Sequence, residues 1–355
     1  MENGTVIISG GAGFIGTRVA PRLLDSGRTV IVLDNLHRQV HPDGAWPEAL
    51  DPRAIRIEGS VVELDDWLAA IDRSEGDISV LHLAAETGTG QSLTEARRHA
   101  GVNVLGTATM TDALVNRNVW PTSIVLTSSR AVYGEGEWLD EDGRPGAPDP
   151  RTAADLDQMR WMPRIGARFA VHPLPHVAKT VQPRPTNVYA ATKLAQEHLL
   201  NSWCSAMGVP LSILRLQNVY GAGQALSNSY TGVLTFFATR SVAGEAIEVY
   251  EGGGILRDFV HVSDVATALV AALDAPGALR EPVDIGSGEG VSLQRVAEIM
   301  ADLSSAPAPI VTDRYRLGDV RAAFASIAAA QQALGYRPKV TLQDGLTELL
   351  SFARS

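Results

Sequence analysis

An apolar, β-branched run, Thr5-Val6-Ile7-Ile8, stops at Ser9-Gly10-Gly11-Ala12-Gly13-Phe14-Ile15-Gly16, and a helical pattern (Val19, Ala20, Leu23, Leu24) starts at once. This describes a buried strand that turns into a helix, and no other stretch narrows the choice of fold as much. Gly11, Gly13 and Gly16 keep the G-x-G-x-x-G spacing. Glycines so placed allow a tight turn, close approach of backbone to a pyrophosphate and close packing of helix on strand. The helix start adds free N–H groups and a partial positive charge. Glycine-rich turns without ligands are common, so a second feature is needed. The next apolar run, Thr29 to Leu33, ends at Asp34, near the offset of about twenty residues at which a carboxylate meets a ribose. Together the two features predict a dinucleotide site.

The same alternation continues along the chain. Apolar runs at Ala54–Glu58, Ile78–Leu83, Ser123–Thr127, Leu211–Leu216 and Pro282–Ile285 are separated by helical patterns, which predicts an α/β fold with a Rossmann-type doubly wound parallel sheet. Residues 1–220 and 259–285 are assigned to the NAD-binding Rossmann domain. Residues 221–258 and 286–355 form a smaller, interleaved C-terminal substrate-binding domain, with a helix from about Thr231 to Ala243, another from Ser292 and two alanine-rich helical stretches in the tail. Residues 135–186 break the rhythm: prolines and charges abound and no period is sustained, so the insert reads as a long ordered loop or lid. Its Trp138, Trp161, Met162 and Phe169 imply that it packs against something.

Composition excludes several function classes. Forty acidic against thirty basic residues leave a net charge of −10, which argues against sequence-independent binding to nucleic acid or anionic lipid. A single cysteine, Cys204, rules out an internal disulfide and any cysteine-based zinc site, and no metal site is expected. No apolar run is long enough to span a membrane, and the opening Met1-Glu2-Asn3-Gly4 lacks a basic region. The expectation is a cytoplasmic enzyme. In the loop after Asp34, His37, Arg38 and His41 offer positive charge, but Asp34 would repel a 2′-phosphate, so NAD is favoured over NADP. Those histidines read as part of a solvated loop.

Tyr189 and Lys193 stand four apart at the start of a strong helical pattern, hence on one face. A tyrosine is a weak acid, with an ordinary pKa of about 10. A lysine ammonium and an oxidised nicotinamide nearby both favour the phenolate, which makes a base for moving a proton while a hydride moves. Ser129, at the end of a strand, can hydrogen-bond the same substrate oxygen.

The Gly10–Gly16 turn, Ser129, Tyr189-x-x-x-Lys193 and Arg257-Asp258-Phe259-Val260-His261 together resemble the extended short-chain dehydrogenase/reductase family, in its nucleotide-sugar epimerase, dehydratase and reductase branch. The resemblance covers nearly the whole chain, with the insert as the chief departure. It implies that Tyr189 is the catalytic base, that Lys193 lowers its pKa and binds the nicotinamide ribose, and that Ser129 positions the sugar hydroxyl. It further implies that Gly10, Gly13, Phe14, Ile15, Gly16, Asp34 and Asn35 hold the dinucleotide. Ser60 and Val61 would flank the adenine, with Ala84, Ala85, Asn103 and Val219 along the rest of the cofactor's path. On the substrate side it points to Thr87, Ser129, Arg130, Asn218 and Arg257, the last meeting the nucleotide diphosphate, and to Asp319 and Arg321 nearby. A homodimer formed through the helices near Asn103–Leu114 and Tyr189–Met207 is a further implication.

Two strings, Glu86-Thr87-Gly88-Thr89-Gly90-Gln91-Ser92 and Ser128-Ser129-Arg130-Ala131-Val132-Tyr133-Gly134, are similar to those of enzymes working at C4 of dTDP-linked 6-deoxyhexoses. These include dTDP-rhamnose 4-epimerases and the 4-ketoreductases of antibiotic sugar pathways. Arg130 stands where 4,6-dehydratases carry an acid beside the serine, which counts against dehydration, because a carboxylic acid must protonate the leaving hydroxyl. The leading expectation is an NAD-dependent 4-epimerase passing through a 4-keto sugar. The alternatives are an NAD(P)H-dependent 4-ketoreductase and, remotely, a non-catalytic dinucleotide sensor.

Overall fold

The computed structural model describes residues 4–226, 232–277, 279 and 281–354. Strands β1 (Thr5–Ser9), β2 (Thr29–Asp34), β3 (Ile55–Glu58), β4 (Ile78–His82) and β5 (Ser123–Ser129) are joined by Leu211–Leu216 and Val283–Ile285 into one seven-stranded sheet. Its order is Val283–Ile285, Leu211–Leu216, β5, β4, β1, β2, β3, and every pairing in it is parallel. A sheet covered on both faces needs continuous apolar strands rather than alternating ones. The side chains of β1 divide accordingly. Val6 and Ile8 pack with Val19, Leu23 and Leu269 on one face, and Ile7 packs with Trp67, Met110 and Leu200 on the other. Each fully buried aliphatic side chain contributes about 1.5–3 kcal/mol.

A third core lies outside the sheet. It is built from helices Val233–Val242, Leu293–Ser304 and Leu342–Arg354 around Tyr220, Phe237 and Met300. The first of these helices begins at Val233, and Thr231, where the sequence predicted its start, lies outside the described residues. The tail does not stay with this core throughout. The helix Ala328–Leu334 returns to the sheet, where Ile327, Ala330 and Tyr336 join the first core and the Tyr336 hydroxyl donates to the Gly286 carbonyl (2.8 Å). Only this tail helix is alanine-rich, since Leu342–Arg354 buries leucines.

The insert is neither loop nor simple lid. It forms a four-stranded antiparallel sheet from β6 (Trp138–Asp140), β7 (Pro145–Gly146), β8 (Arg164–Ile165) and β9 (Arg168–Pro173), in the order β7, β6, β9, β8, with a short helix Ala153–Asp157. Strands this short carry no readable period, which is why the sequence predicted an irregular segment. Their turns are legible afterwards: Asp140 accepts hydrogen bonds from Asp142 N and Arg144 N (both 2.9 Å), and Gly143 and Gly166 take positive φ at the two hairpin tips. Trp138 is buried and packs, with Met162 and Ile165, against Leu256 and Ala322.

Among the described residues no helix is long and apolar enough to cross a membrane.

Candidate active site

A cleft of about 440 Å³ opens beyond the carboxyl ends of β1, β2, β4 and β5. The strand order reverses between β1 and β4, and open parallel sheets hold ligands at that point. Gly10, Gly13, Phe14, Ile15 and Gly16 all line it. Gly10 has φ 69°, and a Cβ there would lie 2.7 Å from the Ala84 backbone; on Gly16 it would lie 2.4 Å from the Gly11 carbonyl oxygen. These two glycines permit close packing. At Gly13 a Cβ would meet only the Gly10 carbonyl oxygen, at 3.2 Å, so the space this glycine keeps open is that of the cleft. The helix Gly16–Asp25 has no side-chain cap at its N-terminus and no acid in its first turn, which leaves its dipole to a phosphate.

The Asp34 carboxylate accepts hydrogen bonds from Ala12 N (3.0 Å) and Leu36 N (2.9 Å) and so ties the turn to the end of β2. Burial pushes its pKa up, against those two bonds and the charge of His41. Asn35, Val61, Ala84, Ala85 and Val219 continue the lining. His37 and His41 belong to the cleft as well, with His41 buried, so the expectation of solvated histidines is corrected; Arg38 is exposed. The loop brings no lysine or arginine to the cleft. An acid with no such partner, beside an uncapped helix end, fits NAD rather than NADP.

Ser60 and Asn103 are outside the lining. The Ser60 N–H donates to Asp66 (2.7 Å), and its neighbour Gly59 takes the place at the surface. Asn103 is fully buried behind the wall. Its Oδ1 accepts from Glu86 N (2.8 Å), and its Nδ2 donates to the Glu86 carbonyl (3.1 Å) and to Thr192 Oγ1 (2.9 Å). It thereby holds the wall containing Ala84, Ala85 and Thr87 against the helix that bears Tyr189.

That helix, Val188–Met207, starts on Asn187, whose side chain accepts from Ala190 N (2.9 Å). Such a cap fixes the first turn, and Tyr189 sits there at the cleft together with Ser129 and Arg130. Ser129 Oγ accepts from Ala131 N (3.1 Å), which orients the hydroxyl. Burial pushes the Tyr189 phenol up, opposed by its hydrogen bond with Ser129 and by the Arg130 charge. The sequence assigned that opposing task to Lys193. In the structure Lys193 is itself buried one turn along the helix, and burial brings its pKa down to about 7 against the pull of Glu197.

Thr87, Arg130 and Asn218 line the remaining end of the cleft. Arg130 Nε donates to Asn218 Oδ1 (2.8 Å). Burial and then the Arg257 charge lower its pKa to about 9, against the pull of Asp319, Tyr189 and Glu135. Arg257, Asp319 and Arg321 are not part of the lining. Arg257 is buried with Nη1 on the Leu256 carbonyl (2.7 Å) and Nη2 on the Val320 carbonyl (2.8 Å). Arg321 donates its backbone N–H to Glu135 Oε2 (2.9 Å) and its Nη1 to the Glu251 carbonyl (3.0 Å). Among the described residues no cluster of three His, Cys, Asp or Glu side chains is placed to hold a metal ion.

The model of the NAD dependent epimerase/dehydratase family matches residues 6–153 and 169–286. The chain belongs to this family. It is therefore an NAD-dependent enzyme of the extended short-chain dehydrogenase type. A dTDP-L-rhamnose 4-epimerase of Burkholderia thailandensis is 45% identical to it, over 97% of this chain and 93% of the relative. Among solved structures, the UDP-glucose 4-epimerase of Thermotoga maritima with UDP-glucose superposes with a TM-score of 0.80 at 26% identity, covering 99% of this chain and 98% of that one. The Thermus thermophilus UDP-glucose 4-epimerase in complex with NAD gives a TM-score of 0.78 at 27% identity, with 99% of each chain covered.

The structure adds residues to this family member's cleft that the sequence did not single out. Gln217 precedes Asn218, and Gln224, Ala225 and Gly232 follow from the next loop. Arg18 Nη2 donates to the Ala222 carbonyl (2.8 Å) and holds that loop to the glycine-turn helix. Being next to a recognised position was the only available signal for Gln217. For Glu135, Arg151 and Glu251, which form buried ion pairs behind Arg130, no local signal exists.

Proposed function

We propose that the enzyme is a 4-epimerase that inverts C4 of a dTDP-linked 6-deoxyhexose, dTDP-rhamnose above all, through a 4-keto intermediate. The observation that carries this reading is that Ser129 and Tyr189 share one cleft with the glycine turn and Asp34. The choice of sugar nucleotide is supported by the 45% identity to a dTDP-L-rhamnose 4-epimerase.

When bound, NAD supplies a reversible hydride acceptor. Gly10, Gly13, Phe14, Ile15, Gly16, Asp34, Asn35, Val61, Ala84, Ala85 and Val219 are assigned to holding it, with Asn103 supporting the wall from behind. Tyr189 Oη takes the proton of the sugar O4 as the C4–H bond breaks and returns it when C4 is reduced. Ser129 Oγ, fixed by Ala131 N, donates its one proton to the Tyr189 phenolate and turns it to O4 once Tyr189 has taken the sugar's proton. Lys193, buried one turn along the same helix, is assigned the charge that favours the phenolate, and Arg130 adds its own from the cleft wall. Arg130 follows Ser129 where a dehydratase carries its acid, which favours epimerisation over dehydration.

Residues 1–220 and 259–285 are assigned to the cofactor, and 221–258 and 286–355 chiefly to the substrate; the separate apolar core around Phe237 and Met300 supports the division. A homodimer through the paired helices is part of the reading, supported by the exposed Leu105, Val115 and Met207. A sedimentation measurement giving monomer would remove it. A cytoplasmic setting accords with the single free cysteine, Cys204.

The test is to release and identify the cofactor, then to offer dTDP-rhamnose with no added nucleotide. Interconversion at C4 without net redox change is expected. Stoichiometric consumption of NADH or NADPH on a 4-keto sugar, with no interconversion, would replace the epimerase by a reductase.

A further inference from the structure

The insert fastens onto one segment of the substrate-binding part, residues 315–326. Tyr315 Oη donates to Asp157 (2.6 Å), and Arg151 Nη2 donates to the Asp319 carbonyl (2.5 Å). Arg321 N donates to Glu135 (2.9 Å), and Trp138 packs on Ala322. Beyond it, His176 N donates to the Phe324 carbonyl (2.8 Å) and Ser326 N to the His176 carbonyl (2.9 Å). Arg151 is the centre of this clasp. Its side chain is 2% exposed; it meets Glu251 with both Nη atoms (2.5 and 3.1 Å) and Glu135 with Nε (3.2 Å). Residues 154–168, which contribute Asp157 and the Trp161 carbonyl that accepts from Arg151 Nη1 (3.2 Å), lie between the two stretches that match the family, so part of the clasp is an elaboration on the family's fold.

The clasped segment holds a cation behind the cleft wall. Arg257 Nη2 is bonded to the Val320 carbonyl, between Asp319 and Arg321. Arg257 in turn acts on Arg130, which lines the cleft. Around this point the guanidinium groups of Arg130, Arg151, Arg257 and Arg321 outnumber the carboxylates of Glu135, Glu251 and Asp319. Burial first, and neighbouring cations after it, lower the pKa of Arg130 and Arg257, and a polyanionic group entering beside Arg130 offsets both costs.

We propose that Arg151 is a positioning residue for the substrate's diphosphate: it pins the Asp319–Arg321 segment, whose Val320 carbonyl holds Arg257 behind the wall, so that Arg130 presents its charge to the cleft. The proposal rests on the nucleotide-sugar reading. Arg151 itself touches no substrate, so its loss acts through the segment it holds.

Arg151→Met, together with the charge-balanced double variant Arg151→Met/Glu251→Gln in case the single change unfolds the protein, tests this in the NAD-loaded enzyme. Co-purified NAD and the melting temperature report folding. Calorimetry with dTDP and dTMP, and KM and kcat for dTDP-rhamnose, report the site. The expected result is a loss of dTDP affinity of about tenfold or more, a parallel rise in KM, and dTMP affinity, NAD content and kcat each within about twofold of the parent. Equal losses for dTDP and dTMP, or no loss for either, would overturn the proposal. If the parent enzyme binds dTDP but does not epimerise dTDP-rhamnose, the functional reading fails while the contrast between dTDP and dTMP still decides the role of Arg151.

Discussion

Arg215 grips Glu197 with two parallel bonds, Nε to Oε1 at 2.9 Å and Nη2 to Oε2 at 2.7 Å, and both side chains are buried. Ser128 Oγ donates to the same carboxylate (2.5 Å). Glu197 stands one turn beyond Lys193 on the Tyr189 helix and is the group that opposes the burial of the Lys193 charge.

Glu197→Gln leaves the Arg215 guanidinium buried without its counter-ion. A loss of about 3–5 kcal/mol of stability is expected, measured by denaturant unfolding. The pH profile gives a second readout. Without Glu197 the Lys193 pKa falls below about 7, so the ammonium is lost at lower pH and the alkaline limb of kcat moves to lower pH. A profile identical to the parent's would separate Glu197 from Lys193.

Tyr189→Phe removes the proton acceptor and keeps the ring that shapes the cleft. Turnover should fall by about 10²–10⁴-fold, with NAD still co-purifying and sugar-nucleotide binding within about twofold. Near-normal turnover would assign the proton transfer elsewhere.

Gly13→Ala and Gly16→Ala should fail in different ways. At Gly16 the new methyl would collide with the Gly11 backbone, 2.4–2.7 Å away, so a loss of about 1–3 kcal/mol of stability is expected even without cofactor. At Gly13 the methyl meets only one carbonyl oxygen, at 3.2 Å, so the cofactor-free protein should melt near the parent while NAD binding weakens. Melting curves with and without NAD distinguish the two.

Asp284 is buried beneath Tyr133, whose hydroxyl donates to both its oxygens (3.0 and 2.9 Å), and burial raises its pKa from 3.8 to about 7. An acid whose folded pKa is raised favours folding only while it is protonated. Its contribution is therefore present below its unfolded value and is lost as pH rises to about 7. Asp284→Asn should show a flatter dependence of stability on pH across that window, with its stability relative to the parent improving towards pH 7. Parallel pH dependences in the two proteins would contradict this.

The parallel sheet, the glycine turn with Asp34, and the pairing of Ser129 with Tyr189 were legible because each is written in one contiguous stretch. A strand end, a tight turn or a helical spacing of four needs no knowledge of distant residues. The four-stranded sheet of the insert was not legible, since strands as short as Pro145–Gly146 and Arg164–Ile165 exist only through their partners. Likewise His41 shows no local sign of burial, and nothing in Arg257-Asp258-Phe259 tells that the guanidinium is held by the backbone carbonyls of Leu256 and Val320.

The sequence by itself determined that this chain binds a dinucleotide on a doubly wound sheet and pointed to Ser129, Tyr189 and Lys193 as a unit, because backbone sterics and side-chain periodicity act over a few residues. Only the tertiary structure decided which charges surround that unit. Ser129 and Arg130 oppose burial at Tyr189. Arg151 joins Glu135, Glu251 and the Asp319 carbonyl from positions far apart in the chain. A buried charge is tolerated only where counter-charges and hydrogen-bond partners converge on it in space, and that convergence is a property of the packed molecule.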